Sequence, residues 1–262
     1  MSKKHDIIWL ESVDSTNEEA KRHISDIDNL SVLSALEQTA GRGQRGNKWT
    51  SAPGENLMFT IVMKFSCDPA SPCQGLQHPL LARDQFVLNE IASLSVVDFL
   101  SKHGISAKIK WPNDIYVGSE KICGILIENS LRGTELSSSI IGIGLNINQR
   151  NFDVKLINPT SMSIESSIDT IFDTRVCLEK FMQIFQDNFN GFSGSKEDFQ
   201  NLRERYLSRL WRRNERHSYI DLRENKEFKG TIIGLNRSGL LVIENEKGES
   251  KEFAFKEISY IL

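Results

Sequence analysis

The sequence predicts an α+β fold in which a main domain, residues 1–213, precedes a small all-β domain, residues 214–262. Long apolar runs such as NLMFTIVMKF are typical of buried strands. Elsewhere apolar residues recur at helical spacing, as at Val87, Ile91 and Leu94. After residue 213 the chain consists of short strand-like segments separated by turn residues, which favours a compact β module, with a small barrel as one possible form.

The composition is typical of a soluble globular protein of 262 residues, with 39% hydrophobic and 26% charged residues. The net charge of −3 argues against a large nucleic-acid-binding surface. No apolar stretch is long enough to span a membrane, and the N-terminus lacks a signal-peptide pattern. The sequence contains four cysteines, Cys67, Cys73, Cys123 and Cys177, and they form no C-x-x-C pair. No disulfide framework or zinc site is therefore indicated, and a cytoplasmic location is expected.

The N-terminal segment predicts a strand followed by a helix. IIWL has the apolar character of a short strand, and DSTNEEAKRHI follows it with helical residues. Ser15 and Thr16 are favoured N-caps, and Glu18 and Glu19 lie three positions after them. Two overlapping capping boxes are therefore expected at the start of this helix.

The middle of the chain alternates between strands and helices. Residues 30–37 and NLMFTIVMKF predict strands, and residues 66–83, with three of the six prolines, predict an irregular loop. DQFVLNEIASLSVVDFLSKHG predicts a helix that Gly104 closes. ISAKIKW, KICGILIE and SSIIGIGLNI predict three further strands, and two helices are expected around 175–189 and 196–211.

The C-terminal module is expected to contain four strand segments, HSYIDL, KEFKGTIIGLN, GLLVIEN and KEFAFKEISYIL. Gly239 and Gly248 lie between them, at positions suited to turns.

The stretch GRGQRGNKW, residues 41–49, has the G-x-G-x-x-G spacing of dinucleotide-binding folds. That fingerprint requires a helix to begin within it, whereas here a Pro-Gly turn and a strand follow, so a Rossmann loop is excluded. That the three glycines have this spacing by chance, with no functional role, remains an alternative. The interleaved Arg42, Arg45 and Lys48 favour a phosphate clamp built from side chains and backbone N–H groups. Trp49 would cover a base or ring, with simple packing as an equal alternative.

A second unusual region combines polar residues with glycines inside apolar strands. Lys121 begins KICGILIE, which contains Gly124, and IIGIGLNIN contains Gly142 and Gly144. Glycine within a strand often indicates close approach of another group to the backbone. The pattern favours a narrow apolar slot bordered by amides, suited to a ring-bearing ligand. A solvated strand end at Lys121 and a plain turn at PND are the structural alternatives.

Four motifs in order and spacing resemble the biotin protein ligases. They are DSTN at 14–17, EQTAGRGQRGNKW at 37–49, KWPNDIYV with KICGILIE at 110–128, and IGIGLNIN at 141–148. The resemblance is strong over residues 7–150 and looser in the C-terminal module. It implies a mixed sheet with flanking helices, similar to the catalytic domains of class II aminoacyl-tRNA synthetases, followed by a small SH3-like β-barrel.

The resemblance implies a ligase with two steps. The carboxylate of biotin attacks the α-phosphate of Mg-ATP, which yields biotinoyl-5′-AMP and pyrophosphate. A lysine of a biotin carboxyl carrier domain then attacks this acyl-adenylate and releases AMP. No nucleic-acid or membrane partner is expected, and the family includes both monomers and dimers.

The resemblance also implies roles for individual residues. Arg42 and Lys121 would be the catalytic cations. Biotin would be bound by small or hydrogen-bonding residues, with Gly144 leaving further room: Ser15, Thr16, Asn17, Gln38, Gly41, Arg42, Gly43, Gln44, Lys121, Gly124 and Gly142. ATP would contact Arg42, Arg45, Trp49, Asn113, Asp114, Lys121 and Asn146. Asp114 would either orient a substrate or bind Mg²⁺, and the loop 41–48 would close over the ligand as a lid.

The sequence departs from the family pattern at two loop positions. Gln44 and Asn47 stand where arginine is common in the family. Gln44 cannot neutralise phosphate charge, so either Arg45 or Lys48 takes over or the adenylate is held less tightly. Release of adenylate, and hence modification of bystander proteins, is a hypothesis that follows from this change.

Three alternatives remain. A lipoate or octanoate ligase or transferase would share the fold and a lysine, although KWPND and GRGQRG favour biotin. A biotin-sensing repressor would carry a DNA-binding domain before DSTN, and DSTN lies close to the start of this sequence. A non-catalytic ligand-binding module is the third.

Overall fold

The computed structural model describes residues 6–65, 76, 79–167 and 170–261. The strands of the main domain are β1 (Ile7–Val13), β2 (Val32–Gln38), β3 (Leu57–Lys64), β4 (Lys108–Lys110), β5 (Asp114–Val117), β6 (Glu120–Arg132) and β7 (Glu135–Leu145). Its helices are α1 (Thr16–Arg22), α2 (Phe86–Lys102), α3 (Met162–Glu165), α4 (Thr174–Asn190) and α5 (Lys196–Ser208). The C-terminal strands are β8 (Arg216–Asp221), β9 (Lys226–Leu235), β10 (Leu241–Asn245), β11 (Ser250–Phe253) and β12 (Ile258–Tyr260).

The first seven strands form one mixed sheet in the order β1-β2-β3-β7-β6-β5-β4. Strands β1 and β2 are parallel, and the other neighbours are antiparallel. The α+β class and the mixed sheet with flanking helices are therefore confirmed.

The two faces of this sheet pack against different parts of the protein, because successive side chains of a strand point to opposite faces. On one face, Phe59 of β3 packs against Phe181 of α4 with ring centroids 5.2 Å apart, within the main core. On the other face, Val62 and Ile140 pack with Ala20 of α1 in a smaller apolar cluster. Further along this second face small residues replace the large apolar ones, which leaves room for a cavity.

The start of α1 differs from the sequence prediction, and the expected capping boxes are wrong. The Ser15 backbone N–H donates to Asp14 Oδ1 at 2.7 Å, and Ser15 makes no side-chain cap bond. Glu18 instead pairs with Lys21 and Arg42, and Glu19 pairs with Arg22. Long-range and next-turn cations therefore attract both carboxylates away from the helix N-terminus.

The short helix α3 was not expected from the sequence. The remaining helices and strands agree with the sequence within a few residues, with three exceptions. Strand β5 begins at Asp114, where a polar turn was expected, because it pairs with β6 and β4. Helix α5 ends at Ser208 rather than near 211, since Leu210 forms a parallel bridge with Ile109. The last expected strand is divided into β11 and β12, with Lys256 at a φ of 74° in the turn between them.

The C-terminal strands form an antiparallel sheet in the order β11-β10-β9-β8-β12, as expected for a small β domain. Its β9–β10 turn contacts the main domain, where the Trp111 indole Nε1 donates to Gly239 O at 2.9 Å. Arg203 of α5 also donates to Asn236 O in the same turn. The boundary between residues 213 and 214, and the barrel form of this domain, remain predictions.

Several sequence features lie at or beyond the limits of the described residues. Cys67, Cys73 and most of the expected loop 66–83 lie outside them. Cys123 and Cys177 are buried free thiols, and burial raises the pKa of Cys177 to about 11. In the described part of the chain, no helix is long and apolar enough to cross a membrane.

Candidate functional site

A cavity of about 730 Å³ opens on the face of the sheet that carries α1. The N-terminus of α1, the 41–49 loop, strands β5 to β7 and the C-terminal domain all contribute to its walls. Most of the residues expected to form a site lie around it: Ser15, Thr16, Asn17, Gln38, Arg42, Gly43, Gln44, Trp49, Asn113, Asp114, Lys121, Gly124, Gly142, Gly144 and Asn146. Gly41 is not among the residues that line the cavity, and only the backbone of Arg45 is described.

One end of the cavity is lined by a hydrogen-bonded polar group. The Thr16 backbone N–H donates to Gln38 Oε1 at 2.7 Å, which ties the start of α1 to the end of β2. Thr60 Oγ1 on β3 lies 2.7 Å from Asn17 Oδ1 and 2.8 Å from Thr16 Oγ1. Asn17 Nδ2 donates to Glu128 Oε2 at 2.9 Å. This end therefore presents fixed donors and acceptors, as a polar ring would require.

The glycines of β6 and β7 make room, but protein side chains occupy much of it in this conformation. A Cβ on Gly142 would lie 2.2 Å from Asn17 Oδ1. A Cβ on Gly144 would lie 2.3 Å from Trp49 Cε2, and one on Gly124 would lie 3.1 Å from Trp49 Cζ3. The close approach inferred from these glycines is real, and it includes Asn17 and the Trp49 indole.

The glycine-rich loop is a short hairpin, so no α-helix begins within it and the exclusion of a Rossmann loop is confirmed. Arg42 and Lys48 form an antiparallel bridge, and Gly43 N–H donates to Asn47 O at 2.7 Å. The turn is a 3₁₀ segment, Gln44–Gly46, in which Gly46 has a φ of 86°. The Arg42 guanidinium forms an ion pair with Glu18 of α1.

Lys121 lies on the wall of the cavity. Its Nζ is 2.7 Å from Asp114 Oδ1 and 5.8 Å from the centroid of the Trp49 ring. Its backbone N–H donates to Asn158 O at 2.7 Å, and its carbonyl accepts from Thr160 N–H at 2.9 Å. The strand and the loop after β7 thus hold the backbone, while about a third of the side chain stays exposed to the cavity.

The two buried asparagines expected near the nucleotide also hold backbone segments together. Asn113 Nδ2 donates to Ile125 O, across β5 and β6. Asn146 Nδ2 donates to Thr160 O at 2.8 Å, which connects the end of β7 to the loop before α3. One side of each amide is therefore used by the protein itself.

Lys110 is a further cation of the cavity that the sequence did not mark as a site residue. Its Nζ hydrogen-bonds to Tyr116 OH at 2.9 Å and lies 5.2 Å from the Tyr260 ring centroid and 5.7 Å from that of Trp211. Burial lowers the pKa of Lys110, and the positive charge of Lys121 acts in the same direction against the attraction of Asp114.

The C-terminal domain contributes Phe255, Ile258, Ser259 and Tyr260 to the cavity wall. Nothing in the short β segments of the sequence indicates this, because their approach depends on how the domain packs against the sheet. Thr60 was also missed, although its hydroxyl in an otherwise apolar run was a usable signal.

The sequence profile of the biotin/lipoate A/B protein ligase family matches residues 9–146, which include the polar end, the glycine-rich hairpin and Lys121. The chain belongs to this family. Its matched segment ends just after β7, so the profile covers the seven-stranded sheet and the motifs around the cavity.

Individual members of the ligase family are similar over most of the chain. A biotin–[acetyl-CoA-carboxylase] ligase of Paracoccus denitrificans is 29% identical, over 91% of this chain and 94% of its own length. The bifunctional ligase/repressor BirA of Salmonella typhimurium is 27% identical, over 94% of this chain and 72% of its own length. The biotin protein ligase of Aquifex aeolicus, solved with biotin and ATP, has a TM-score of 0.75 and 27% identity, and 97% of each chain is covered.

Proposed function

We propose that this family member is an ATP-dependent biotin protein ligase, which forms biotinoyl-5′-AMP and transfers biotin to a lysine of a biotin carboxyl carrier domain. The observation that carries the proposal is the cavity itself. Its walls include two cations, Arg42 and Lys121, together with the amide of Asn17, and Lys121 Nζ lies 5.8 Å from the centroid of the Trp49 ring. The similarity to the Aquifex aeolicus ligase, which was solved with biotin and ATP, supports the same substrates.

The first step needs positive charge. A biotin carboxylate oxygen attacks the α-phosphorus of ATP, a new P–O bond forms, and the bond to the pyrophosphate leaving group breaks. Both reactants are anions, so they approach each other only where cations offset their repulsion. Lys121 and Arg42 supply that charge, and Lys121 would exchange its contact with Asp114 for one with the phosphate or carboxylate.

The second step needs the activated acyl group to survive until the acceptor arrives. The neutral amine of the acceptor lysine attacks the acyl carbon, an amide forms, a proton leaves the nitrogen, and AMP departs. The mixed anhydride is protected if water is excluded from the cavity. The 41–49 hairpin and the aromatic residues of the C-terminal domain are the walls that would do this.

The described residues fit a magnesium ion that arrives with ATP better than a metal site formed by protein alone. Asp114 is the only carboxylate among the described cavity walls, and no group of three or more His, Cys, Asp or Glu residues within the described ranges could hold a metal. Mg²⁺ commonly keeps phosphate and water ligands with one or two carboxylates. Asp114 would be its one protein ligand, and the ion would reduce the charge of the phosphates.

The proposal is tested by measuring pyrophosphate release from biotin and ATP, followed by transfer of biotin to a carrier domain. Replacing Lys121 with methionine keeps an aliphatic stem against Trp49 and removes the charge. We expect Lys121→Met to lower the rate by about 10²–10³, whereas Lys180→Met, at an exposed position of α4, leaves it unchanged.

Lipoate is the competing acid in the same assay. Release of pyrophosphate with lipoate and not with biotin would contradict the proposal and favour a lipoate ligase. Binding of biotin and ATP without any pyrophosphate would favour a non-catalytic module.

A further inference from the structure

One lysine outside the cavity wall joins two carboxylates that each contact a cavity residue. Lys21 Nζ on α1 lies 2.9 Å from Glu18 Oε1 and 2.6 Å from Glu128 Oε1 of β6. Glu18 also forms an ion pair with Arg42, and Glu128 Oε2 accepts a hydrogen bond of 2.9 Å from Asn17 Nδ2. A continuous chain of polar contacts therefore links Arg42 on the cavity wall to Asn17 at the polar end of the cavity.

The orientation of the Asn17 amide depends on this chain. Asn17 is only 3% exposed, and its Oδ1 lies 2.7 Å from the hydroxyl oxygen of Thr60, which is fully buried. Its Nδ2 faces the Glu128 carboxylate and, at 3.4 Å, the carbonyl of Leu126. Reversing the amide would place two oxygens against each other at Glu128, and a buried polar contact of that kind is costly.

Glu128 depends in turn on its cation. Burial raises the pKa of the Glu128 carboxyl, but hydrogen bonds from Lys21 and Asn17 and the charges of Lys21 and Arg42 more than offset this, so the pKa is lowered overall. Lys21 is about a third exposed, and ion pairs at such positions add little to the stability of a fold. The effect of Lys21 is on geometry, because Lys21 holds the Glu128 carboxylate that orients the buried amide of Asn17.

We propose that Lys21 is a positioning residue for the biotin ring: through Glu128 it fixes the amide of Asn17 at the polar end of the cavity. The inference rests on the proposed function and deepens it. It concerns a residue that does not line the cavity and that none of the four sequence motifs contains.

The test is the steady-state rate of pyrophosphate release with biotin and ATP varied separately. Lys21→Met keeps a helix-compatible stem of similar length and removes the charge. We expect the KM for biotin to rise roughly three- to tenfold, the size of one lost hydrogen bond. The KM for ATP and the Tm stay close to wild type. The separate variant Lys21→Arg keeps the positive charge, so its KM for biotin should stay close to that of wild type. Lys180→Met on α4 should leave the KM for biotin unchanged.

The route through Glu128 is tested in a second background. Glu128→Gln keeps an acceptor oxygen for Asn17 and does not need a cation, so Lys21→Met should change the biotin KM by less than about twofold when added to it. An unchanged biotin KM in Lys21→Met, or an equal increase in both backgrounds, would overturn the inference. Failure of the wild-type protein to release pyrophosphate from biotin and ATP would instead refute the proposed function.

Discussion

Gly144 shows how a single hydrogen atom in place of a side chain shapes the cavity. The Trp49 indole lies so close to β7 that a Cβ on Gly144 would stand 2.3 Å from it. Gly41 lies against the backbone of the same residue, where a Cβ would be 2.4 Å from the Trp49 carbonyl oxygen. The indole and the backbone of Trp49 thus each pack closely against a glycine, and the two glycines lie more than a hundred residues apart.

We therefore predict that Gly144→Ala displaces Trp49 and weakens nucleotide binding. Overpacking of this kind costs about 1–3 kcal/mol, so the KM for ATP should rise by roughly five- to hundredfold. Gly234→Ala is the matched control, since a Cβ added to Gly234 in strand β9 would have no atom within 4 Å. Titration with ATP in the pyrophosphate assay measures both, and equal KM values for the two variants would contradict the prediction.

Gln44 is one of the two loop positions, with Asn47, at which the resemblance to the family leads us to expect arginine. It lies in the 3₁₀ turn of the hairpin, and its Oε1 is buried without a hydrogen-bond partner within the described residues. We expect Gln44→Arg to add a phosphate contact and to reduce biotinylation of bystander proteins by released adenylate, with the carrier domain still modified. Western blotting of a mixed protein sample with labelled streptavidin measures this, and an unchanged bystander signal would contradict the hypothesis.

At the scale of whole elements, two helices support the turn that leads into the cavity. Asn89 Nδ2 of α2 and Tyr206 OH of α5 both donate to the Pro112 carbonyl, at 2.5 Å and 3.0 Å. The next two residues are Asn113 and Asp114, which line the cavity. The position of these polar side chains thus depends on helices that face away from it.

Tyr206→Phe removes one of these donors and leaves the ring in place. We expect it to reduce the free energy of unfolding by about 1 kcal/mol and to lower kcat severalfold, because Asn113 and Asp114 lose support. Tyr219→Phe is the control, because Tyr219 OH is buried without a partner in the described structure. Urea unfolding and the pyrophosphate assay report the two effects, and a stability loss as large in Tyr219→Phe would contradict this account.

At the scale of the whole molecule, a buried ion pair connects both domains. Glu90 of α2 is 1% exposed and pairs with Arg203 of α5, which also donates to Asn236 O in the C-terminal domain. Burial raises the pKa of Glu90 to about 7, although the charge and hydrogen bond of Arg203 oppose the shift. The folded protein therefore holds this proton up to a higher pH than the unfolded chain does.

The stability of the protein should accordingly fall as pH rises from about 4.5 to about 7, since the folded state binds more protons than the unfolded state in that window. Glu90 contributes at most about 3 kcal/mol to this pH-dependent change in the free energy of unfolding. Glu90→Gln removes it, so its free energy of unfolding should depend less on pH than that of wild type or of the exposed-site control Glu179→Gln. Urea unfolding at pH 5 and pH 8 measures the difference, and parallel pH profiles would refute it.

The sequence by itself determined most of the strands, most helix boundaries and many of the residues that line the cavity. Those features depend on local patterns, such as apolar runs in β3, β6 and β7 and the glycine spacing of residues 41–46. The order of the four motifs and their spacing along the chain also indicated the ligase family, because both can be read from the sequence alone.

Only the tertiary structure decided which groups share a contact. Glu18 looked like a capping residue and instead holds Arg42 and Lys21. Likewise, the C-terminal domain brings Tyr260 to the cavity, although it lies 150 residues after Lys110. Such contacts arise from sheet register and domain packing, and a local sequence pattern contains no information about either.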